Sequence, residues 1–333
     1  MEIEQALVIH CKLSGPRNIK ENIRAVKQPL IELLNKHGLH IRYVDRMLPY
    51  DAVKTFAADD MLIVILGGDS ANKYTIQALC ESNLARKVVL AGFRFGSGND
   101  FLSMLNINSN RDAFTALRGF LANPERYSKR IDLLQVSLPD YQCIEYAGFM
   151  AGFGISAAIS HRTSNFMKRC LPGKVAYRMA VNKVLLLDYI KLSSEVTVLS
   201  DEGKTLEDNL ISLMVTNGKY AGAGMQPVPW SVPWDGTAEV FAVNYINPVR
   251  LNFIFNRVYD GSHTELEECH FISGRQFTIM LKPGLLLQLD GEVIKKEKQA
   301  LRVEKAEIEV LESLLNSVYL PVEEVAENDS AAG

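Results

Sequence analysis

The sequence predicts an α/β domain built on a parallel sheet, followed by a second domain that is mainly antiparallel β and packs as a sandwich. Three observations carry that expectation. Short apolar runs alternate with helical patterns over the first third of the chain, strand-like segments predominate from residue 131 onward, and 333 residues is about twice the usual domain size. A hydrophobic fraction of 47% with 23% charged residues is that of a well-cored globular chain, which excludes disordered, collagenous and disulfide-scaffold classes.

In order along the chain, residues 6–10 form the first strand candidate. Residues 20–37 carry Ile23, Val26, Leu30, Leu33 and Leu34 at helical spacing and stop at Gly38, a C-terminal cap, with Pro29 expected to kink or restart the helix. Residues 41–44 give a second strand. The unbroken apolar run 61–66 suits a central parallel strand covered on both faces, and 88–91 repeats it after an intervening helix. A helix over 112–121 ends at Asn123-Pro124, which places a domain boundary near residue 128. Beyond it, segments 131–138, 195–199, 210–216, 238–245, 276–281 and 285–289 read as strands. Helices are expected over 174–190 and 248–258, the second opening on Pro248. Ala306, Ile308 and Val310 alternate with glutamates as one more half-buried strand, and 323–333 reads as a frayed tail. The expected division is 1–128, 129–316 and a tail 317–333, the last strand of the second domain being a candidate to return to the first.

A formal charge of −3 lacks the basic excess that gripping nucleic acid requires, so no nucleic-acid partner is expected. Five scattered cysteines without a CxxC spacing read as free thiols of a reducing compartment, hence a cytoplasmic location. The acidic start is unlike a signal peptide, and no apolar run reaches the ~18 residues of a membrane span. Peripheral contact with a membrane is compatible with both, and so is a homodimer. No histidine pair has zinc-ligand spacing and no GxSxG elbow is present, which argues against a zinc enzyme and a serine hydrolase.

Two glycine-rich segments follow the central strands. Gly67-Gly68-Asp69-Ser70 and Gly96-Ser97-Gly98-Asn99-Asp100 would emerge side by side at the carboxyl edge of the sheet, where open α/β folds bind ligands. Glycines let backbone approach a phosphate, the following helix offers free N–H groups, and Asp69 could hold magnesium. The alternative is a tight turn with a capping acid, and Asp100 could likewise cap the helix starting at Phe101. Trp230, Val232, Pro233 and Trp234 form an apolar stretch that is either a buried turn or an interfacial contact.

Gly67-Gly-Asp69, Gly96-Ser-Gly-Asn-Asp100, Asn217-Gly-Lys-Tyr-Ala-Gly-Ala-Gly-Met225, Trp234-Asp-Gly236 and Leu289-Asp-Gly-Glu292 together resemble the ordered motifs of the diacylglycerol kinase catalytic-domain family. That family includes soluble bacterial lipid kinases and the sphingosine and ceramide kinases. Ser14-Gly15, Gly152-Phe-Gly154, Gly173 with Tyr177 and Gly261 with His263 add supporting matches, so the resemblance spans about residues 6–311. It implies an NAD kinase/diacylglycerol kinase-like α/β nucleotide domain with a β-sandwich lipid domain, and ATP bound between them. It also implies phosphates on Ser14, Gly15 and the glycine loops, and a lipid hydroxyl at a membrane surface as acceptor.

In the family the aspartate of the Asp-Gly-Glu motif is the base, which here is Asp290. Asp290 and Glu292, two apart on an extended segment, would share one face as an acidic pair; the alternative is an Asp-Gly turn with a surface glutamate. The resemblance also implies a magnesium site at Asp235, with Val232 and Thr237 supplying backbone carbonyls, against a second plain Asp-Gly turn. Lys12, Arg17 and Lys20 surround the first glycine turn.

Several positions depart from the family pattern. The threonine and glutamate that follow Gly-Gly-Asp are missing, Ser70 stands for a glycine, and Arg94 for a proline. A positive φ at Ser70 would cost about 1 kcal/mol. Lys73 or Arg94 could bind phosphate in compensation, although a lysine on a helix face is ordinarily solvated. The leading expectation is an ATP- and Mg2+-dependent lipid kinase. The alternatives are an impaired lipid or nucleotide sensor of the same fold, and a kinase of a soluble substrate resembling NAD kinase.

Overall fold

The computed structural model describes residues 3–12, 19–162, 179–185, 189 and 192–323. The chain forms two compact units, Met1–Ile131 with Ser313–Gly333, and Asp132–Glu312.

The first unit is an α/β sheet with strand order β4-β3-β1-β2, all parallel. Its strands are β1 (Gln5–Cys11), β2 (His40–Arg46), β3 (Met61–Gly67) and β4 (Val88–Arg94). Every residue of β3 is buried, as an apolar run between two helical layers must be. Helix α1 (Ile19–Lys36) passes through Pro29 without restarting, because burial of Val26, Leu30 and Leu34 outweighs one missing backbone bond. It ends as expected at Gly38, with φ 76° and the Leu39 N–H donated back to the Leu34 carbonyl. A short helix α2 (Tyr50–Phe56), too brief to show a period in the sequence, precedes β3. Helices α3 (Asp69–Glu81), α4 (Asp100–Met104) and α5 (Asn110–Ala122) complete the unit.

The second unit is mainly antiparallel. Strands β5 (Ser128–Leu138), β6 (Cys143–Ala147), β7 (Met150–Gly154), β8 (Ser194–Ser200), β9 (Thr205–Thr216), β10 (Ala238–Asn244), β11 (Cys269–Gly274) and β12 (Gln276–Leu289) form a β-sandwich. Its core includes Phe153, Val198, Leu213, Val240, Phe277, Ile279 and Leu287. The two strands expected at 276–281 and 285–289 are one, with a register shift between Met280 and Leu285 against its neighbour. Helix α6 (Ile155–Arg162) and helix α7 (Pro248–Arg257) lie in this unit; Asn247 caps α7 by accepting the Arg250 N–H at 2.9 Å. Residues 179–185 are helical, and the rest of the helix expected over 174–190 falls largely outside the described residues.

Short strands β13 (Glu292–Val293), β14 (Lys295–Lys296) and β15 (Gln299–Ala300) lead to β16 (Arg302–Val318). This long strand begins in the second unit, paired antiparallel with β12. It ends in the first unit, where Asn316 and Ser317 pair in parallel with Val89 and Leu90 of β4. Leu315, Val318 and Leu320 there are buried.

Candidate active site

In the first unit the two glycine segments meet backbone to backbone. A Cβ on Gly68 would lie 2.5 Å from the Gly96 Cα, and one on Gly96 would lie 2.5 Å from the Gly68 Cα. Glycine is therefore required at both positions by mutual contact, with negative φ at Gly68. The Gly67 carbonyl accepts the Phe95 N–H at 2.9 Å, which ties the loops at their base. Gly68 is the N-cap of α3 and brings no side-chain cap to the first turn of that helix. One turn on, the Asn72 Oδ1 is buried without a hydrogen-bond partner. The helix start without a side-chain cap fits an anionic phosphate group, whereas the Asn72 oxygen, itself an acceptor, does not.

Asp69 ties the loops together. Its Oδ2 accepts the Asn99 N–H at 2.7 Å and its Oδ1 the Phe101 N–H at 3.1 Å. Burial pushes its carboxyl above the ordinary value, against the opposing pull of the Phe101, Asn99 and Asp100 amides and of Arg94. Asn99, at φ 60°, clamps Gly96 from both sides, accepting its N–H and donating to its carbonyl, each at 2.9 Å. Asn99, not Asp100, is the N-cap of α4; Asp100 is the buried first residue of that helix.

Three expectations at the substituted positions need correction. Ser70 is the second residue of α3 and does not have a positive φ, so serine causes no strain there. Lys73 is not solvated: it is 3% exposed, with its ammonium 3.5 Å from Gln77 Oε1. Arg94 faces inward, donating to Ile107 O and Ser103 Oγ at 2.8 Å, Asn99 O at 3.2 Å and Gly98 O at 3.4 Å. It braces the second loop that a proline would otherwise stiffen. Ser97 is half-buried in this loop, while Ser14, Gly15 and Arg17 of the first turn lie outside the described residues, as do Gly173, Tyr177 and the side chain of Lys20.

In the second unit Asp290 and Gly291 form a two-residue hairpin turn between β12 and β13, with φ 50° and 84° and with Leu289 paired to Glu292. The extended acidic face expected for Asp290 and Glu292 is therefore not formed. Nor is this a surface turn. Asp290 is 3% exposed and its carboxylate accepts three amides, Gly148 at 2.6 Å and Phe149 and Met150 at 3.0 Å. The Phe149 carbonyl in turn accepts the Asn217 N–H at 3.1 Å, so the Asn217-Gly218 and Asp290-Gly291 motifs meet on residues 148–150. Gly152 belongs to the same cluster: a Cβ there would lie 2.4 Å from Gln288 Nε2.

Asp235 is exposed, and its Oδ1 accepts both the N–H and the hydroxyl of Thr237, at 3.0 and 2.8 Å. A single exposed carboxylate of this kind is compatible with a magnesium ion held largely by water and with no more demanding site. Among the described residues no three His, Cys, Asp or Glu side chains cluster as a metal site. Sequence reasoning missed Asp132, whose buried carboxylate accepts the Gly236 N–H at 2.7 Å while its carbonyl accepts Asn217 Nδ2 at 2.8 Å. A lone aspartate inside the apolar stretch Ile131-Asp-Leu-Leu134 was the available signal. Trp230 is half exposed, 5.1 Å from the Phe271 ring, whereas Pro233 is buried.

A parallel α/β unit that is interrupted by a β-sandwich and then receives its last strand has the architecture shared by diacylglycerol kinases and NAD kinases. Residues 5–136 match the diacylglycerol kinase catalytic domain, and residues 150–312 match the YegS C-terminal NAD kinase beta sandwich-like domain. The chain belongs to the diacylglycerol kinase catalytic-domain family, whose membership implies a nucleotide substrate. It is 25% identical over 242 residues to a Staphylococcus epidermidis protein named "Putative lipid kinase", covering 72% of this chain and 73% of that one. Its fold is similar to that of a Bacillus anthracis "putative diacylglycerol kinase", with TM-score 0.72, 20% identity and coverage of 96% and 97%. It is also similar, at TM-score 0.51 and 9% identity over 98% of this chain and 86% of the other, to yeast NADH kinase complexed with NADH. Among the described residues no helix is long and apolar enough to cross a membrane.

Proposed function

We propose that this protein is a lipid kinase that transfers the γ-phosphate of Mg-ATP to a lipid hydroxyl presented at a membrane surface. The observation that carries the reading is the contact of Gly68 with Gly96 at the uncapped start of α3. It brings the two glycine loops together at the start of that helix, where the helix dipole favours negative charge. Gly67, Gly68, Ser70, Gly96, Ser97 and Gly98 would face the phosphates, with Ser14 and Gly15 as further candidates. Asp69, Asn99, Asp100 and Arg94 set the shape of the loops. The magnesium ion supplies charge neutralisation of the transferring phosphoryl group, and Asp235 with the carbonyls of Val232 and Thr237 would hold a second, hydrated ion.

Asp290 is assigned as the base that accepts the acceptor hydroxyl's proton, oriented by the amides of residues 148–150. General-base help of this kind is worth about 100- to 10,000-fold. Glu292, across the turn, is a secondary candidate for holding metal or water. The test is transfer of γ-labelled phosphate from Mg-ATP into an extracted mixed-lipid pool, with NAD as a parallel acceptor. A labelled lipid made by the wild type and absent with Asp290→Asn is the expected result, ATP binding being kept by both. Label in NADP instead would make it a soluble-substrate kinase.

One observation favours a second reading. The Asp290 carboxylate is buried on three amides and would serve as a structural hub without any substrate. A folded, ATP-binding protein that labels no lipid would be a sensor of the same fold.

A further inference from the structure

Gln288 stands on β12 two residues before Asp290 and is 1% exposed. Its Oε1 accepts the Gly291 N–H at 2.6 Å and so holds the Asp290-Gly291 turn. That bond fixes which end of the amide is which, because only the oxygen can accept an N–H. The other end, Nε2, is a donor that makes no hydrogen bond among the described residues. Buried polar groups are nearly always paired, and an unpaired donor beside a candidate base has its partner in the substrate.

Room for this amide is made by Gly152, its pairing partner on β7. A Cβ on Gly152 would lie 2.4 Å from Gln288 Nε2 and 2.5 Å from Ser156 Oγ. Ser156 donates to the Phe153 carbonyl at 3.2 Å and leaves the amide unsatisfied. Asp290 follows Gln288 by two residues, roughly 7 Å at the rise of a strand. A lipid headgroup that gives its hydroxyl to Asp290 therefore brings the atoms on its next carbon toward Nε2.

We propose that Gln288 is a specificity-determining residue, whose Nε2 donates to an oxygen on the carbon next to the acceptor's reacting hydroxyl and thereby favours acyl glycerols over sphingoid bases. The proposal rests on the lipid-kinase reading above. An ester at that carbon offers oxygens that accept the N–H. A sphingoid base carries a protonated amine there, which has only donors and leaves the amide unpaired against a positive charge.

The test is kcat/KM for diacylglycerol and for sphingosine in the same detergent micelles, with γ-labelled Mg-ATP and the full chain. Wild type is expected to favour diacylglycerol. Gln288→Glu keeps an oxygen for the Gly291 N–H but replaces the donor by an acceptor, so the turn is held while the proposed contact is lost. It is expected to lower kcat/KM for diacylglycerol by roughly 10- to 100-fold, as loss of one buried hydrogen bond requires. The value for sphingosine should be unchanged or raised, and the KM for ATP should stay within about 2-fold. Gln288→Met, apolar and of similar length, should show the same loss for diacylglycerol and decides the matter if thermal unfolding finds the glutamate variant destabilised. Wild-type kcat/KM for diacylglycerol in a folded variant, equal losses for the two lipids, or a wild type that favours sphingosine or labels neither lipid would overturn the proposal. If the wild type also labels nothing in an extracted lipid pool, the lipid-kinase reading itself falls, an outcome seen before any variant is made.

Discussion

Gly68 and Gly96 are fixed by contact with each other and not by backbone dihedral. A methyl group at either would have to displace backbone, which cannot move as a flexible side chain can. Gly68→Ala is accordingly expected to cost about 1–3 kcal/mol, the usual range for overpacking, and to weaken ATP binding. Thermal unfolding and nucleotide calorimetry on the same sample would check it; a stable variant with wild-type affinity would mean that the loops do not form the phosphate cradle. The residues of this site were legible in the sequence as types but not as roles. Gly67-Gly68-Asp69 reads as a phosphate loop, yet only coordinates show Asp69 spending both oxygens on backbone amides of the neighbouring loop. Ser70 looked strained because a glycine stood at that place in the family pattern, and it is an ordinary helical residue.

The elements were largely legible where a period was long or a run was apolar, as in α1, β3 and α5. They were not where an element is short, as in α2, or where one strand carries an irregularity, as in β12. Side-chain direction was out of reach altogether: Arg94 and Lys73 read as phosphate binders or solvated cations, and both turn inward. His263, matched with Gly261 in the sequence, is another inward-turned group, with Nε2 donating to the Pro227 carbonyl at 2.8 Å in a fully buried position. Burial pushes its pKa below 6.5, against the opposing effect of the Pro227 carbonyl. Below pH 6.5 the unfolded chain then takes up a proton that the folded chain refuses, so stability falls as pH drops from 6.5 toward the lowered folded value. The slope in that window approaches about 1.4 kcal/mol per pH unit. Urea unfolding at pH 7.5 and 5.5 should show the wild type losing more stability than His263→Gln, and equal losses would contradict a buried neutral imidazole.

At the scale of the whole molecule, the first unit is discontinuous. Its sheet receives residues 313–320, where the Ser317 hydroxyl donates to Leu90 O at 3.0 Å and Asn106 Nδ2 donates to Leu320 O at 3.0 Å. Removing the chain beyond Glu312 would uncover the edge of β4 and delete buried Leu315, Val318 and Leu320. At about 1.5–3 kcal/mol for each side chain the loss is comparable to the whole stability of a typical domain. Hydrogen exchange should find the amides of β3 and β4 protected in the full chain and unprotected in the truncated one. Equal protection would show that the first unit closes without its returning strand.

That returning strand also sets a schedule for synthesis. Domains generally fold as they leave the ribosome, but here the first unit must wait while about 180 intervening residues are made. At roughly 5–20 residues per second the wait is on the order of 10–40 s. Through that interval the edge of β4 is open, and an incomplete chain released early carries both glycine loops without the strand that closes their sheet. Closure of the first unit's sheet is thus coupled to the synthesis of residues 313–320.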